Sequence, residues 1–515
     1  GLRGGVAQGD PVSRGVTGGG SGHLMTGADV VVVGGGTAGA VAAGRLAAAG
    51  ARVVLVEAGP GRSDDPALSS LDATLALARP DRFDDSIEAV TAAGRRLAYR
   101  SGRGLGGGSA INAMVVTAGD RADYDGWAAH RGCPGWDGAA MEPWLTTSAS
   151  TVGITEVEPG PVASALAAAA TAAGHRPGGP SVALDATGIL AASLTARHGR
   201  RRSAADAYLD LPALGRPVPA PATDGHLHVA TGTAVARVTH ERARVTGVVL
   251  ADGSALAADR VVVCGGALRT PALLAASGIG PPGPWPVTDH PSFVLTVARR
   301  PTGGDGADGA PRAAISGLLR WSSGIGRGGG PCGGGELPAD LMALGMDHVG
   351  PGPEGHRYGA LIVVLTDVAA VGRVELAAGG GVTVDPGWLG HPLDRARFRA
   401  GVRHLAALAA DDAFDRVATG VFTDDAGTPA SRLADLDDDA LDLWLADHPG
   451  PVRHPASSLP LGGAVDLAGA VAGVDGLTVA DASVLPRVPN ANPMLVVLAV
   501  AERLVAGLAA GEGNL

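Results

Sequence analysis

A chain of 515 residues, 46% hydrophobic and 18% charged, has room for two or three globular units at ~150 residues each. Its net charge of −11, with 40 arginines, no lysine and no basic face, excludes a nucleic-acid backbone as partner, and no apolar run approaches the ~20 residues of a membrane span. The three cysteines, Cys133, Cys264 and Cys332, lack CxxC or CxxH spacing, so neither a disulfide framework nor a metal site is expected, and a reduced, cytoplasmic setting is.

Residues 1–27 are glycine-rich and aperiodic without an apolar segment after a basic start, which predicts a disordered arm and no signal peptide. From Ala28, "ADVVVVGGGTAGAVAAGRLAAAGARVVLVEAG" gives a buried strand, a glycine turn, an alanine-rich helix and a second strand ending in an acid. That is a βαβ unit of about thirty residues. A second glycine turn, "SGRGLGGGSAINAMV" (101–115), leads into a helix-like segment. The alternation in "HLHVATGTAVARVTH" and "RVTGVVLADGS" predicts an antiparallel meander, and "RVVVCGGAL" (260–268) another buried strand. A third glycine turn follows in "GGALRTPALLAASGIG" (265–280).

The tract 302–335 is so rich in glycine that a mobile loop is expected, and "LDDDALDLWLADHPG" (436–450) reads as a solvated helix. A last strand, "GLTVADASVLP", precedes the apolar helix "MLVVLAVAERL". The fold class is α/β: a Rossmann-like domain built from 28–150, 225–292 and 451–510, into which an α+β domain with an antiparallel sheet (151–224 and 293–450) is inserted.

Gly34, Gly36 and Gly39 form GxGxxG between strand and helix. The first permits the tight turn, the second admits a pyrophosphate to the backbone, and the third lets helix pack on strand. Phosphates at that place meet the positive end of the helix dipole. Glu57, at the end of the second strand, is placed to accept hydrogen bonds from a ribose and disfavours a 2′-phosphate. Among 82 glycines an accidental match is easily found, and the alternative is a structural turn. Strand, helix, second strand and acid together favour dinucleotide binding.

The order of the later motifs narrows the class. "GRGLGGGSAINAMV…DYDGWA", "RRSAADAYL" (201–209), "TPALLAASGIG", "DHP" (289–291), "GRVEL…VTVDPGWLGHPLD" and "GLTVADASVLPRVPNANPM" follow one another, and in this the chain resembles the glucose-methanol-choline (GMC) family of FAD-dependent oxidoreductases from about Ala28 to Leu508. The resemblance implies an ADP half of FAD held by Gly34, Gly36, Thr37, Ala38, Gly39 and Glu57. It implies pyrophosphate and flavin beside Gly107, Ser109, Asn112 and Ala113, adenine at Val235, phosphates over Asp481 and Ala482, and the flavin near Pro493 and Met494. Ile111 stands before Asn112, where some members carry a histidine bonded to FAD, so noncovalent FAD is expected.

The resemblance also implies a catalytic pair: His454 in "RHPASSLPLGG", a base that is neutral before and cationic after the reaction, and Asn492, which orients the alcohol oxygen. Only four asparagines occur, and two of them, Asn490 and Asn492, lie at the mouth of the apolar helix. Asn492-Pro493 is also an N-cap and N1 pattern. Asn490 reads as a turn residue, and His290 as structural and not a second base. Where the family usually has glycine, this chain has Ser457, which puts the geometry around His454 in question. The expected activity is oxidation of a small alcohol to an aldehyde or ketone, with hydride passing to flavin N5. The electron acceptor is open among oxygen, a quinone and a redox partner, as is the oligomeric state. The alternatives are a lyase keeping FAD structurally and a catalytically degenerate partner protein.

Overall fold

Runs of β-branched residues buried on both faces pair side by side at the centre of one half of the molecule. In the computed structural model, which describes residues 27–61, 65–91, 94–209, 226–300, 312–326, 338–377 and 381–511, five parallel strands lie in the order Leu227–Thr231, Val53–Glu57, Ala28–Val33, Ala255–Val263 and Leu477–Val479. Val31 and Val32 are fully buried there, between Val54–Leu55 and Val261–Val262. The expected arm before Gly27 lies outside the described residues, as does Cys332.

The antiparallel meander is present as Val235–Glu241, Arg244–Leu250 and the first half of Ala255–Val263. "HLHVAT" departs from expectation: it is a parallel edge strand beside Val53–Glu57. Alternation reports one buried face but not the direction of the neighbour.

An antiparallel sheet forms the other half, in the order Ala418–Phe422, Pro291–Arg299, Tyr358–Leu365, Leu341–Met346, Ile315–Trp321 and Gly188–Ala191. Its fifth strand corrects the expectation of a loop at 302–335. Residues 302–311 and 327–335 lie outside the described residues, but "ISGLLRW" between them is a strand buried along its whole length. A third sheet joins Trp285–Val287 to the hairpin Gly372–Leu376/Val382–Asp385 and then to Glu88–Val90 and Arg96–Ala98. It thereby brings Tyr99 and Trp388 to one place.

The helix Pro493–Ala510 packs between Thr37–Ala48 and Gly138–Val152. Among the described residues it alone is long and apolar enough to cross a membrane, and 56% of it is buried, as befits a core helix. Glu502, buried on it, pairs with Arg45 of Thr37–Ala48 at 2.7 Å. The short helix Ala204–Tyr208 also packs on Thr37–Ala48, although its residues were expected in the inserted domain. Asp438–Asp447 is a helix with its acids outward, but Leu441 and Leu445 are buried, and Asp438 and Asp442 pair with Arg399. It is amphipathic, not wholly solvated.

Candidate active site

The first two glycine turns touch. The Gly106 N–H donates to the Gly35 carbonyl at 2.8 Å, and a Cβ on Gly107 would lie 2.8 Å from the Gly36 Cα. A Cβ on Gly39 would lie 1.8 Å from the Gly34 carbonyl oxygen, so only glycine lets this helix start so close to its strand. No side chain caps Thr37–Ala48 at its N-terminus. Its leading N–H groups, beside an open backbone at Gly36, form a cradle that suits the pyrophosphate of FAD.

Glu57 joins three loops. Its Oε2 accepts the Gly35 N–H at 2.7 Å, and its Oε1 accepts those of Gly59 and Gly104 at 2.8 and 2.9 Å. A carboxylate has about four acceptor positions, so one remains for a ribose hydroxyl. Val235 begins the meander strand and is half-buried.

In the second turn, the Ser109 hydroxyl donates to the Gly106 carbonyl and accepts the Ala204 N–H. Asn112 Nδ2 donates to Met494 Sδ at 3.3 Å, bringing together two residues far apart in sequence. Its Oδ1 accepts from Met114 N and from Arg201 Nη1 at 3.0 Å. Burial holds the Arg201 guanidinium down at about 10, and its Nε and Nη2 have no hydrogen-bond partner among the described residues. The sequence reading missed Arg201, because a chain whose every cation is arginine hides it. Asp481 is wholly engaged: Oδ2 accepts from Gly266 N and Thr270 Oγ1, and Oδ1 from Ser483 N and Oγ. It ties the third glycine turn to the C-terminal segment, and the carbonyl of its neighbour Ala482 accepts the Ser457 N–H.

His454 and His290 meet edge to face, with their Nδ1 atoms 3.0 Å apart. His454 keeps part of its surface toward solvent, but the protein around it pushes its imidazole down to about 4. Burial also lowers His290, and His454 beside it adds to the effect. The buried Asp289 holds both. Its Oδ1 accepts the backbone N–H groups of His290 and His454 at 2.9 and 2.8 Å, and its Oδ2 accepts from Tyr99 Oη at 2.8 Å and Trp388 Nε1 at 3.2 Å. Burial outweighs these donors and pushes its carboxyl up to about 6.

Asn492 is the N-cap of Pro493–Ala510, but its side chain does not cap the helix. Instead Nδ2 donates to the Val115 carbonyl at 3.2 Å, while the backbone N–H donates to Thr117 Oγ1 at 2.7 Å. The helix end is left open for another acceptor. Asn492 and His454 share no hydrogen bond among the described residues. The segments that carry them are joined through Thr288, whose Oγ1 accepts from Val488 N and bonds Ser457 Oγ at 2.9 Å.

Asn490 lies in a bend, as expected, but it is also a buried hub. Its Nδ2 donates to Asp120 Oδ2 at 2.6 Å and to the Ala339 carbonyl, and its backbone N–H to Asp123 Oδ2. Arg320 completes the network, with Nη2 3.2 Å from Asp120 Oδ2 and 3.1 Å from the Asn490 carbonyl. Burial pushes Asp120 and Asp123 up to about 6 and about 7.

Ser457 answers the question raised by its missing glycine. It adopts a left-handed φ of 74°, a region that glycine enters without strain and serine does not, and the hydroxyl bond to Thr288 offsets part of the cost. A non-glycine residue in this region costs ~1–2 kcal/mol and a hydrogen bond contributes about 1 kcal/mol. Ser457→Gly is therefore expected to leave stability within about 1 kcal/mol of the parent, and Ser457→Ala to lose about 1–2 kcal/mol, measured by denaturant unfolding.

The parallel sheet and its glycine cradle are those of the dinucleotide-binding class of fold. The family model of GMC oxidoreductases matches residues 28–288 in its N-terminal part and 369–501 in its C-terminal part. Among relatives, 5-(hydroxymethyl)furfural oxidase of Methylovorus sp. is 29% identical over 92% of this chain and 97% of its own. Pyridoxine 4-oxidase of Microbacterium luteolum is 29% identical over 93% and 99%, and oxygen-dependent choline dehydrogenase of Burkholderia mallei 27% over 92% of each. The crystal structure of a pyridoxine 4-oxidase from Mesorbium loti superimposes with a TM-score of 0.78 at 24% identity, covering 93% of this chain and 98% of that one. The chain belongs to the GMC oxidoreductase family, and its cofactor is FAD.

Proposed function

We propose that this protein oxidises an alcohol to an aldehyde or ketone, with His454 as the base and Asn492 positioning the alcohol oxygen. Residues 28–150, 225–292 and 451–510 hold FAD noncovalently, Ile111 offering no attachment atom, and 151–224 and 293–450 form the substrate side, apart from Ala204–Tyr208, which packs on Thr37–Ala48. Gly36, Gly107 and the start of Thr37–Ala48 would hold the pyrophosphate, Glu57 the ribose, and Asn112 and Met494 the flavin side. FAD supplies a two-electron acceptor for the hydride of the carbinol carbon. His454 takes the hydroxyl proton, and Asn492, whose Nδ2 gives one hydrogen to the Val115 carbonyl, keeps its second N–H to donate to the alcohol oxygen. The buried, free thiols of Cys133 and Cys264 accord with a reduced, cytoplasmic setting.

The observation that carries this reading is an imidazole at the family's base position, kept neutral by burial and tethered through Nδ1. The test is an anaerobic absorbance spectrum of the FAD-loaded protein titrated with primary and secondary alcohols. Bleaching of the oxidised bands by at least one alcohol is expected. A yellow protein that none of them reduces overturns the reading in favour of a lyase or a degenerate relative.

The pH dependence follows from the direction of the shift. A base whose folded value is about 4 stays unprotonated through the neutral range, so kcat/KM is expected to fall steeply only toward pH 4 and not at the ordinary histidine value of ~6.5. A shallow step near pH 6 is expected where Asp289 takes up a proton.

A further inference from the structure

Two Nδ1 atoms 3.0 Å apart leave room for one proton between them, so one imidazole donates and the other accepts. The role of His454 breaks the tie. Its Nδ1 faces His290, so the base acts through Nε2, which is bare before the reaction, and a neutral imidazole with a bare Nε2 carries its hydrogen on Nδ1. His290 Nδ1 is then the acceptor, and the proton between the rings belongs to His454.

We propose that His290, held in place by Asp289, is a positioning residue that fixes the tautomer of His454: it accepts the Nδ1–H of His454 and so leaves Nε2 as the basic atom. This rests on the reading of His454 as the base. In the reaction the alcohol O–H bond breaks, its proton bonds to Nε2, and Nδ1–H stays on His454 against His290 Nδ1, while the electron pair of the carbinol C–H leaves with the hydride to FAD. The positive charge forms at a ring whose backbone N–H already rests on Asp289. Arg487, the other charge facing His290, is paired with Asp367 at 2.6 Å, and Tyr99 and Trp388 close the far side of Asp289. Asp289 therefore acts on both imidazoles through their backbones, and His290 acts on His454 through its ring.

The experiment uses the FAD-loaded protein with 15N-labelled histidine. The His454 ring is expected to show a protonated Nδ1 and an unprotonated Nε2; the reverse overturns the proposal, whatever the variants do. His290→Leu is expected to keep FAD and slow anaerobic flavin reduction by alcohol ~100-fold or more, with the loss in kcat and not KM. His290→Asn, whose amide oxygen can replace the Nδ1 acceptor, is expected to recover to within ~10-fold of the parent. An FAD-loaded His290→Leu with the parent's rate and pH profile overturns the proposal. If that variant fails to fold, the 15N spectrum of the parent decides. The base reading fails separately, if His454→Ala reduces its flavin at the parent's rate. An inactive His454→Ala beside a fully active His290→Leu sinks only the tautomer proposal.

Discussion

His454→Ala is expected to purify yellow, with FAD bound, and to lose ~10²–10⁴-fold in the rate at which an alcohol bleaches the flavin. The substitution removes the imidazole but leaves the glycine turns, Glu57 and Asp481 in place, since none of them bonds the His454 ring. The loss should fall on kcat and kcat/KM alike, the signature of an interaction made in the transition state. Stopped-flow reduction under anaerobic conditions measures it directly. An unchanged rate would remove His454 from the chemistry.

Arg320→Met is expected to cost ~3–5 kcal/mol, the largest effect on stability of the substitutions considered. The side chain is 1% exposed, and its guanidinium binds Asp120 and the carbonyls of Ala186 and Asn490. Methionine fills a similar space but leaves Asp120 buried without its cation. Asp120 already sits at about 6 with Arg320 beside it, so without that charge it holds its proton to higher pH. The carboxyl can then stay neutral in mild acid but not in base, and the deficit should be larger at pH 8 than at pH 6. Chemical denaturation at both values tests the size and the sign. Asp120→Asn in the same background should recover part of the loss, because the uncompensated charge is gone.

How much of this was legible in the sequence depended on how local the cause was. The cradle at Gly34, Gly36 and Gly39 was readable because its constraint is steric and spans six residues. The parallel strand at 227–231 and the buried strand at 315–321 were not, because a short apolar run declares burial without naming its partner. The site divides in the same way. His454 and Asn492 stood out only by family position, whereas Asp289, 165 residues before His454, and Asn490, 370 residues after Asp120, owe their importance to contacts that no local pattern records. The missing glycine at Ser457 was legible as a departure, but not its outcome, which turned on a hydroxyl of Thr288.

The central parallel sheet also sets an order of events during synthesis. Ala255–Val263 needs Leu477–Val479 as its neighbour, more than two hundred residues downstream. At ~5–20 residues per second the ribosome takes roughly 10–40 s to bridge that gap. Throughout it Val261–Val263 of that strand present an unpaired edge, with their backbone open to pairing with any other chain. The wait ends when the last strand and the helix after it emerge, the same stretch that brings Asn490 and Asn492. The edge is closed, and Asn490 and Asn492 are set in place, by one late segment, so a chain stalled before it lacks both and is prone to aggregate.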